Sequence, residues 1–302
     1  MKSVVEDIKK GSFKPVYLFY GEEAYLKQQY KNRLKNAVLP EGDTINLSIY
    51  SGKGIDVKEM IAQADTMPFF AEHRLLLIED SGFFKNANQQ LAEYIPSIPE
   101  ETIMLFVESE VDKRGKLYKA VSKKGSVVEF TAQNEQTLTR WILGILKTEG
   151  KMITSGAMKQ FLEKTGTDME RIRQELEKLI CYCMEKESIT EEDVAVICSE
   201  QTENKIFDMI NAMAEKKQKK AMELYYDLLA LKEPPMRILY LITRQFNLLM
   251  QVKELSEEGY SAKTISERLK MAGFIVRNCL RQAEYFSLKT LKEALQDCVR
   301  ME

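Results

Sequence analysis

Residues 15–28 have the sequence Pro15-Val-Tyr-Leu-Phe-Tyr-Gly-Glu-Glu-Ala-Tyr-Leu-Lys-Gln28. The run at 16–20 consists of strand-forming residues, and Gly21 ends it. The acidic residues that follow suit the first turn of a helix, which continues to about Val38. A strand, a glycine turn and a helix in this order are typical of the first unit of a parallel α/β sheet. This stretch therefore predicts an α/β fold.

Four more β-type runs follow within the first 130 residues, and amphipathic stretches separate them. They lie at 45–50, 74–79, 102–107 and 127–130. Strands that alternate with helices are typical of parallel sheets, because each parallel connection has to cross over a face of the sheet. We therefore predict a parallel five-stranded sheet.

The chain changes class after Phe130, where strand signals stop and helical periodicity begins. In the clearest helix, apolar residues recur at spacings of three and four, which places them on one face: Ile238, Ile242, Phe246, Leu249 and Val252. The predicted class is α/β plus all-α. We predict three domains, an α/β domain at 1–132, a small helical domain at 133–202 and a second helical domain at 203–302.

The composition is that of a soluble globular protein, with 44% hydrophobic and 30% charged residues. Lys plus Arg number 44 and Asp plus Glu 46, so the formal net charge is −2. No overall positive field therefore recruits DNA, and any DNA contact has to be local or shared with partners.

The number of cysteines and the length of the apolar runs indicate the cellular location of the chain. Five cysteines are an odd number, and the opening residues lack the apolar run of a signal peptide. Apolar clusters fall far short of the roughly 20 residues that cross a bilayer. We expect reduced thiols, a cytoplasmic location and no membrane attachment.

The turn after the first strand stands where a phosphate-binding loop would lie. Against the pattern G-x-x-x-x-G-K-[ST], Gly21 and Lys27 match, but Leu26 replaces the second glycine. Gln28 replaces the hydroxyl residue that binds magnesium. The two glutamates after Gly21 would place carboxylates where backbone amides should face a polyphosphate. We predict a degenerate loop that binds no ATP. We also predict that the chain has no catalytic residues and needs no cofactor.

The other candidates for catalytic or metal-binding residues have weaker support. Glu79-Asp80 at the end of the third strand resembles the acidic pair of such ATPases, but without a phosphate loop the pair has no substrate. His73 is the only histidine. Cys181 and Cys183 are two apart on a predicted helix and point to different sides, so they do not form a chelating pair. No metal site is predicted.

The segment Thr66-Met-Pro-Phe-Phe-Ala71 places two adjacent aromatic residues between a helix and the third strand. Adjacent residues of an extended loop cannot both turn into the same core. Exposed apolar side chains of this size usually mark a protein contact, because a partner that buries two phenylalanines gains about 3 to 6 kcal/mol of transfer free energy. A partner anchor and ordinary loop packing both remain open from the residues alone.

Four segments, in this order and at this chain length, resemble the delta subunit of bacterial DNA polymerase III. They lie at 15–27, 67–78, 237–249 and 283–288. The resemblance implies a degenerate AAA+ module of the P-loop type, followed by a helical lid at 133–202 and a helical collar at 203–302. It also implies a chain that neither binds nor hydrolyses ATP.

The resemblance further implies the partners and the site. In this family a hydrophobic pair before the third strand inserts into the peptide pocket of the β sliding clamp, and the ring opens for loading onto primed DNA. Here the pair corresponds to Phe69 and Phe70, with Met67 beside it; the family often has leucine where Phe69 stands. The collar would join the clamp-loader gamma/tau and delta-prime subunits.

Two other classes remain as alternatives. An active P-loop ATPase of the helicase-loader type is favoured only by Lys27 and the acidic pair, and nucleotide binding by the isolated chain would reveal it. The other class is a stand-alone helical DNA-binding protein, and the near-neutral net charge argues against it. That class predicts tight and steeply salt-dependent DNA binding without partners.

Overall fold

The computed structural model describes residues 1–86, 88–198 and 202–301. Its internal contacts divide the chain into two compact units, Met1–Ala132 and Gln133–Glu302. The division into three domains stays a prediction. Its second boundary, between residues 202 and 203, directly follows residues 199–201, which lie outside the described residues.

The first unit is a parallel five-stranded sheet with helices, as the sequence predicts. The strands are β1 (Val16–Tyr20), β2 (Leu47–Ser51), β3 (Arg74–Glu79), β4 (Thr102–Glu108) and β5 (Ser126–Glu129). The helices are α1 (Lys2–Lys10), α2 (Ala24–Val38), α3 (Val57–Ala64), α4 (Gln89–Tyr94) and α5 (Lys116–Lys124), with a 3-10 turn at Ile95–Ser97. The strand order is β2-β3-β4-β1-β5.

Both faces of this sheet are covered. On one face, Leu18 and Phe106 pack in a cluster with Met60 of α3 and Leu117 of α5. On the other face, the ring of Phe19 lies edge-on to that of Phe130, 5.3 Å away. Burial on both faces explains why the strands are almost continuously apolar rather than alternating.

The second unit is almost entirely helical. Its first helices are α6 (Glu135–Thr148), α7 (Ser155–Thr165), α8 (Met169–Tyr182) and α9 (Glu191–Ile197). The later ones are α10 (Thr202–Ala214), α11 (Gln218–Ala230), α12 (Pro235–Glu257), α13 (Ala262–Leu269), α14 (Gly273–Ala283) and α15 (Leu288–Met301). No helix in the described part of the chain is both long and apolar enough to cross a membrane.

The expectation that strands end with the first unit was wrong in one detail. Two short strands, β6 (Met152–Ile153) and β7 (Ser188–Ile189), pair in parallel within the second unit. Two residues are too few to produce a recognisable alternation, so pattern analysis passes over them. Helix α9 begins directly after β7 with a capping box, in which Asp193 accepts hydrogen bonds from the backbone N–H and the hydroxyl of Thr190, both at 2.9 Å.

The last six helices share one apolar cluster, to which α12 contributes Ile238, Leu241, Phe246, Leu249 and Val252. A partly buried polar network, centred on the buried Gln282, links α10, α12 and α14 in this core. The side-chain amide of Gln245 donates to Gln282 Oε1 at 2.7 Å, and Gln282 Nε2 donates to Asn211 Oδ1 at 2.8 Å and to the carbonyl of Phe207 at 2.9 Å. Because buried amides are costly when unpaired, this network fixes the relative register of the three helices.

Candidate functional site

The loop that joins α3 to β3 presents three apolar side chains to solvent. Met67 is 76% exposed, Phe69 56% and Phe70 95%. The two rings lie edge-to-face with their centroids 4.6 Å apart. Neither ring is buried in the core of the first unit, so together they form an exposed aromatic pair.

The backbone of Phe70 explains how adjacent residues come to lie side by side. Successive side chains of an extended chain point in opposite directions. Phe70 has a φ of 51°, in the left-handed region, which turns the chain and lets both rings face outward together. A non-glycine residue pays on the order of 1 kcal/mol for this conformation. The surrounding structure has to hold the loop against that cost.

Two buried polar side chains hold the loop from below. Asn46, 2% exposed, accepts a hydrogen bond from the Phe69 N–H at 2.7 Å and donates one to the Phe69 carbonyl at 2.9 Å. Arg74, 4% exposed, donates from Nε to the Thr66 carbonyl at 3.1 Å and from Nη2 to the Met67 carbonyl at 3.3 Å. The loop backbone is therefore fixed while its apolar side chains stay free.

At the carboxyl ends of the strands, protein groups occupy the loop that the sequence predicts to be a degenerate phosphate loop. Gly21 has a φ of 114°, and a Cβ placed on it would lie 2.3 Å from the carbonyl oxygen of Phe130. The carboxylate of Glu23 caps α2 by accepting from the Tyr25 N–H at 3.3 Å. An anionic cap occupies the place where a bound phosphate would meet the helix amides, and like charge repels it.

The lysine of this loop is also engaged. Lys27 Nζ donates to the carbonyl of Glu108 at 3.2 Å. Burial lowers the pKa of Lys27, and the nearby carboxylates of Asp80, Glu108 and Glu23 oppose that shift. Leu26, which replaces the second glycine, is buried, while Gln28 lies on the exposed side of the helix. Of the three predicted loop residues, Gly21 follows the end of β1, whereas Lys27 and Gln28 lie on two different sides of α2.

The acidic residues at this end of the strands have protein partners. Glu79 forms an ion pair with Lys31 at 2.7 Å, and Asp80 accepts from the Ser109 hydroxyl at 2.7 Å. Glu108 is buried and accepts from the hydroxyl and N–H of Ser81; burial raises its pKa, and the hydrogen bond from Ser81 opposes this. Across the described residues, no group of three or more His, Cys, Asp or Glu side chains is arranged to hold a metal ion.

Comparison with known proteins places this geometry in a family. The family described as DNA polymerase III, delta subunit matches residues 17–131, and its C-terminal domain matches residues 203–302. The DNA polymerase III subunit delta of Bacillus subtilis (strain 168) is 30% identical, over 99% of this chain and 90% of that protein. This chain belongs to the DNA polymerase III delta subunit family.

A more distant relative and a solved structure agree. The probable DNA polymerase III subunit delta of Aquifex aeolicus (strain VF5) is 21% identical, over 81% of this chain and 72% of that protein. The solved structure of the Bacillus subtilis DNA clamp loader delta protein superposes with a TM-score of 0.67, at 30% identity, covering 99% of this chain and 92% of that one. The resemblance stated from the four segments and the predicted fold class are confirmed.

Within this delta-family fold, the sequence prediction named the exposed side chains but not their supports. Met67, Phe69 and Phe70 are brought together on one loop, while the predicted degenerate phosphate loop lies at the other end of the strands. Asn46 and Arg74 were missed. The available signals were an asparagine inside a β-type run and an arginine as the first residue of an otherwise apolar strand, since neither type favours such a position.

Proposed function

We propose that this chain is a non-catalytic clamp-loader subunit that binds a β sliding clamp and helps to open its ring for loading onto primed DNA. The observation that carries the proposal is the aromatic pair of Phe69 and Phe70, exposed on a loop whose backbone is held from below. A large apolar surface on a fixed loop is typical of an anchor for a protein partner.

The energetics favour an apolar pocket as the counterpart. Covering the two rings contributes about 3 to 5 kcal/mol of gross transfer free energy, because both are still largely in contact with water. Met67 adds a flexible apolar side chain that adapts to an irregular pocket wall. Because the loop is already ordered, little of this gain is spent on fixing its backbone during binding.

The loop is well placed to act as a lever. Asn46 directly precedes β2 and Arg74 begins the buried strand β3, so a force on the aromatic pair is transmitted to two paired strands of the sheet. Binding opens a ring only if the contacts are stronger to the open form than to the closed one. A rigid anchor that fits the distorted clamp better than the relaxed clamp meets this requirement. ATP binding by other subunits would set when the anchor becomes available.

We expect the purified chain to hydrolyse no ATP and to show no nucleotide binding. The reason is that Glu23 occupies the helix terminus, Leu26 fills the position of the second glycine, and Lys27 is tied to the end of β4. The measurement is phosphate release together with titration of a fluorescent ATP analogue. Turnover that Lys27→Ala abolishes would reverse this assignment in favour of an active P-loop ATPase.

The remaining partners are proposed from the family resemblance and would be bound by the second unit. The proposed collar at 203–302 would join the gamma/tau and delta-prime subunits, and it carries exposed Tyr226, Met236 and Tyr240 that such contacts could cover. Primed DNA would be met inside the assembled loader, because the net charge of −2 gives the isolated chain no attraction for it. We expect a chain with these partners to work in the cytoplasm.

Binding of the full chain to a purified bacterial β clamp, measured by surface plasmon resonance, tests the proposal. The decisive comparison is with the variant that lacks the aromatic pair. Steep salt-dependent binding to duplex DNA in the absence of partners would instead favour the stand-alone DNA-binding class.

A further inference from the structure

We propose that Asn46 and Arg74 are positioning residues, which hold the loop of residues 66–70 in the conformation that the clamp accepts. The inference rests on the proposed function, since it assigns the residues that prepare the same site. Neither side chain lies at the surface, as Asn46 is 2% and Arg74 4% exposed. Each therefore acts on the clamp only through the loop.

The side chain of Asn46 forms the pair of hydrogen bonds that a neighbouring β-strand would form with the loop backbone. Its side-chain amide pairs with both the N–H and the carbonyl of Phe69, at 2.7 and 2.9 Å. Asp43 sets the direction of this amide, because its carboxylate accepts from Asn46 Nδ2 at 2.7 Å and from the Asn46 backbone N–H at 3.0 Å. A carboxylate only accepts, so Asn46 has to turn its nitrogen towards Asp43 and its oxygen towards the Phe69 N–H. Those hydrogen bonds from Asn46 also lower the pKa of Asp43.

Arg74 holds the beginning of the loop. Two of its nitrogens donate to the carbonyls of Thr66 and Met67, while Nη1 is buried with no hydrogen-bond partner among the described residues. An apolar residue at the start of this buried strand would leave no unpaired donor and would serve stability better. The Arg74 guanidinium is therefore explained by its hydrogen bonds to two loop carbonyls rather than by a contribution to the stability of the core.

The register of the sheet brings the two supports together. Leu47 of β2 pairs with Leu75 of β3, so Asn46 and Arg74 lie side by side at the edge where the strands begin. From there they hold three successive points of the loop: the carbonyls of Thr66 and Met67 and the peptide groups of Phe69. Without these bonds the left-handed turn at Phe70 would relax, and the clamp would have to restore the order on binding.

The test is Asn46→Ala in the full chain, with clamp affinity and amide hydrogen exchange as readouts. We expect affinity to fall roughly tenfold, because the ordering cost moves into the binding step, and the Phe69 amide to exchange faster. The matched control is Ser48→Ala on the adjoining edge strand β2, whose hydroxyl accepts from Gln63 of α3 rather than from the loop. The control should keep the affinity of the parent chain within about twofold.

A double-mutant cycle separates positioning from a general loss of structure. In a Phe69→Ala background, the effect of Asn46→Ala on affinity should shrink to about twofold or less, because the ring that it orients is gone. An equal loss in both backgrounds would contradict the proposal. Should Asn46→Ala unfold, Asp43→Ala is the milder variant, since it leaves Asn46 in place but removes the carboxylate that orients it; we expect roughly a threefold loss.

The outcomes distinguish this inference from the proposed function. Loss of binding on removal of the aromatic pair, with parent-like affinity and parent-like Phe69 exchange in Asn46→Ala and Asp43→Ala, would overturn positioning and leave the function standing. A parent chain that does not bind the clamp would overturn the function and, with it, the positioning role at this interface.

Discussion

Replacing Phe69 and Phe70 together by alanine is expected to weaken clamp binding by about a thousandfold and to leave the melting temperature of the chain almost unchanged. Anchoring aromatic residues at interfaces contribute roughly 2 kcal/mol each, and two such losses together correspond to a factor on the order of a thousand. Binding should therefore fall below detection in a micromolar assay. Calorimetry or surface plasmon resonance measures the affinity, and thermal melting of the free variant measures the fold.

The fold should tolerate the change because the rings contribute little to it. Phe70 is 95% and Phe69 56% exposed, so truncation removes little buried apolar area. The bonds from Asn46 and Arg74 reach only backbone atoms of the loop, and alanine retains those atoms. The variant therefore separates the anchor from its scaffold.

The matched control is Tyr182→Ala at the end of α8. Tyr182 is 51% exposed, a fraction similar to the 56% of Phe69, but it belongs to the second unit. We expect this control to bind the clamp as the parent does. Unchanged affinity in the double alanine variant would remove Phe69 and Phe70 from the mechanism, and a large drop in its melting temperature would instead assign the two rings to the packing of the first unit.

The sheet was predictable because its signal is local. A buried parallel strand is a short apolar run between turn residues, and β1 and β3 have the bounds that the sequence predicts. Strand β2 begins at Leu47, two residues later than predicted, because the backbone N–H groups of Ile45 and Asn46 both donate to the Asp43 carboxylate at 3.0 Å rather than to a neighbouring strand. The paired strands β6 and β7 left no pattern at all, since two residues show no period.

The candidate site was predictable only where it is contiguous in sequence. Phe69 and Phe70 are neighbours, so their chemistry is visible in one segment. Asn46 lies 23 residues away from Phe69, and only the pairing of β2 with β3 brings its amide under the loop. Local propensity contains no information on that pairing, so the support of a loop is found from tertiary structure rather than from a motif.

Gly21, which the sequence assigns to a degenerate phosphate loop, has a structural role. In an intact loop, a glycine lets the backbone approach a phosphate. Here it lets the end of β1 approach the end of β5, where Phe130 donates its N–H to the Tyr20 carbonyl at 2.7 Å and accepts from the Glu23 N–H at 3.1 Å. The glycine is therefore needed for the fold in a chain for which we propose no nucleotide.

Gly21→Ala is accordingly expected to destabilise the chain by about 3 kcal/mol or more, because strain and steric overlap act together. The φ of 114° is one that L side chains rarely adopt, and the new Cβ would lie 2.3 Å from the Phe130 oxygen, a rigid backbone atom. Urea unfolding of the full chain, monitored by circular dichroism, measures the loss of unfolding free energy.

The matched control is Gly144→Ala within α6, where nothing lies within 4 Å of the added Cβ. That control should stabilise the chain by about 0.5 to 1 kcal/mol, because alanine is the better helix former. A Gly21→Ala chain as stable as the parent would mean that β1 and β5 separate without cost, and that the close approach at Phe130 does not hold this edge of the sheet together.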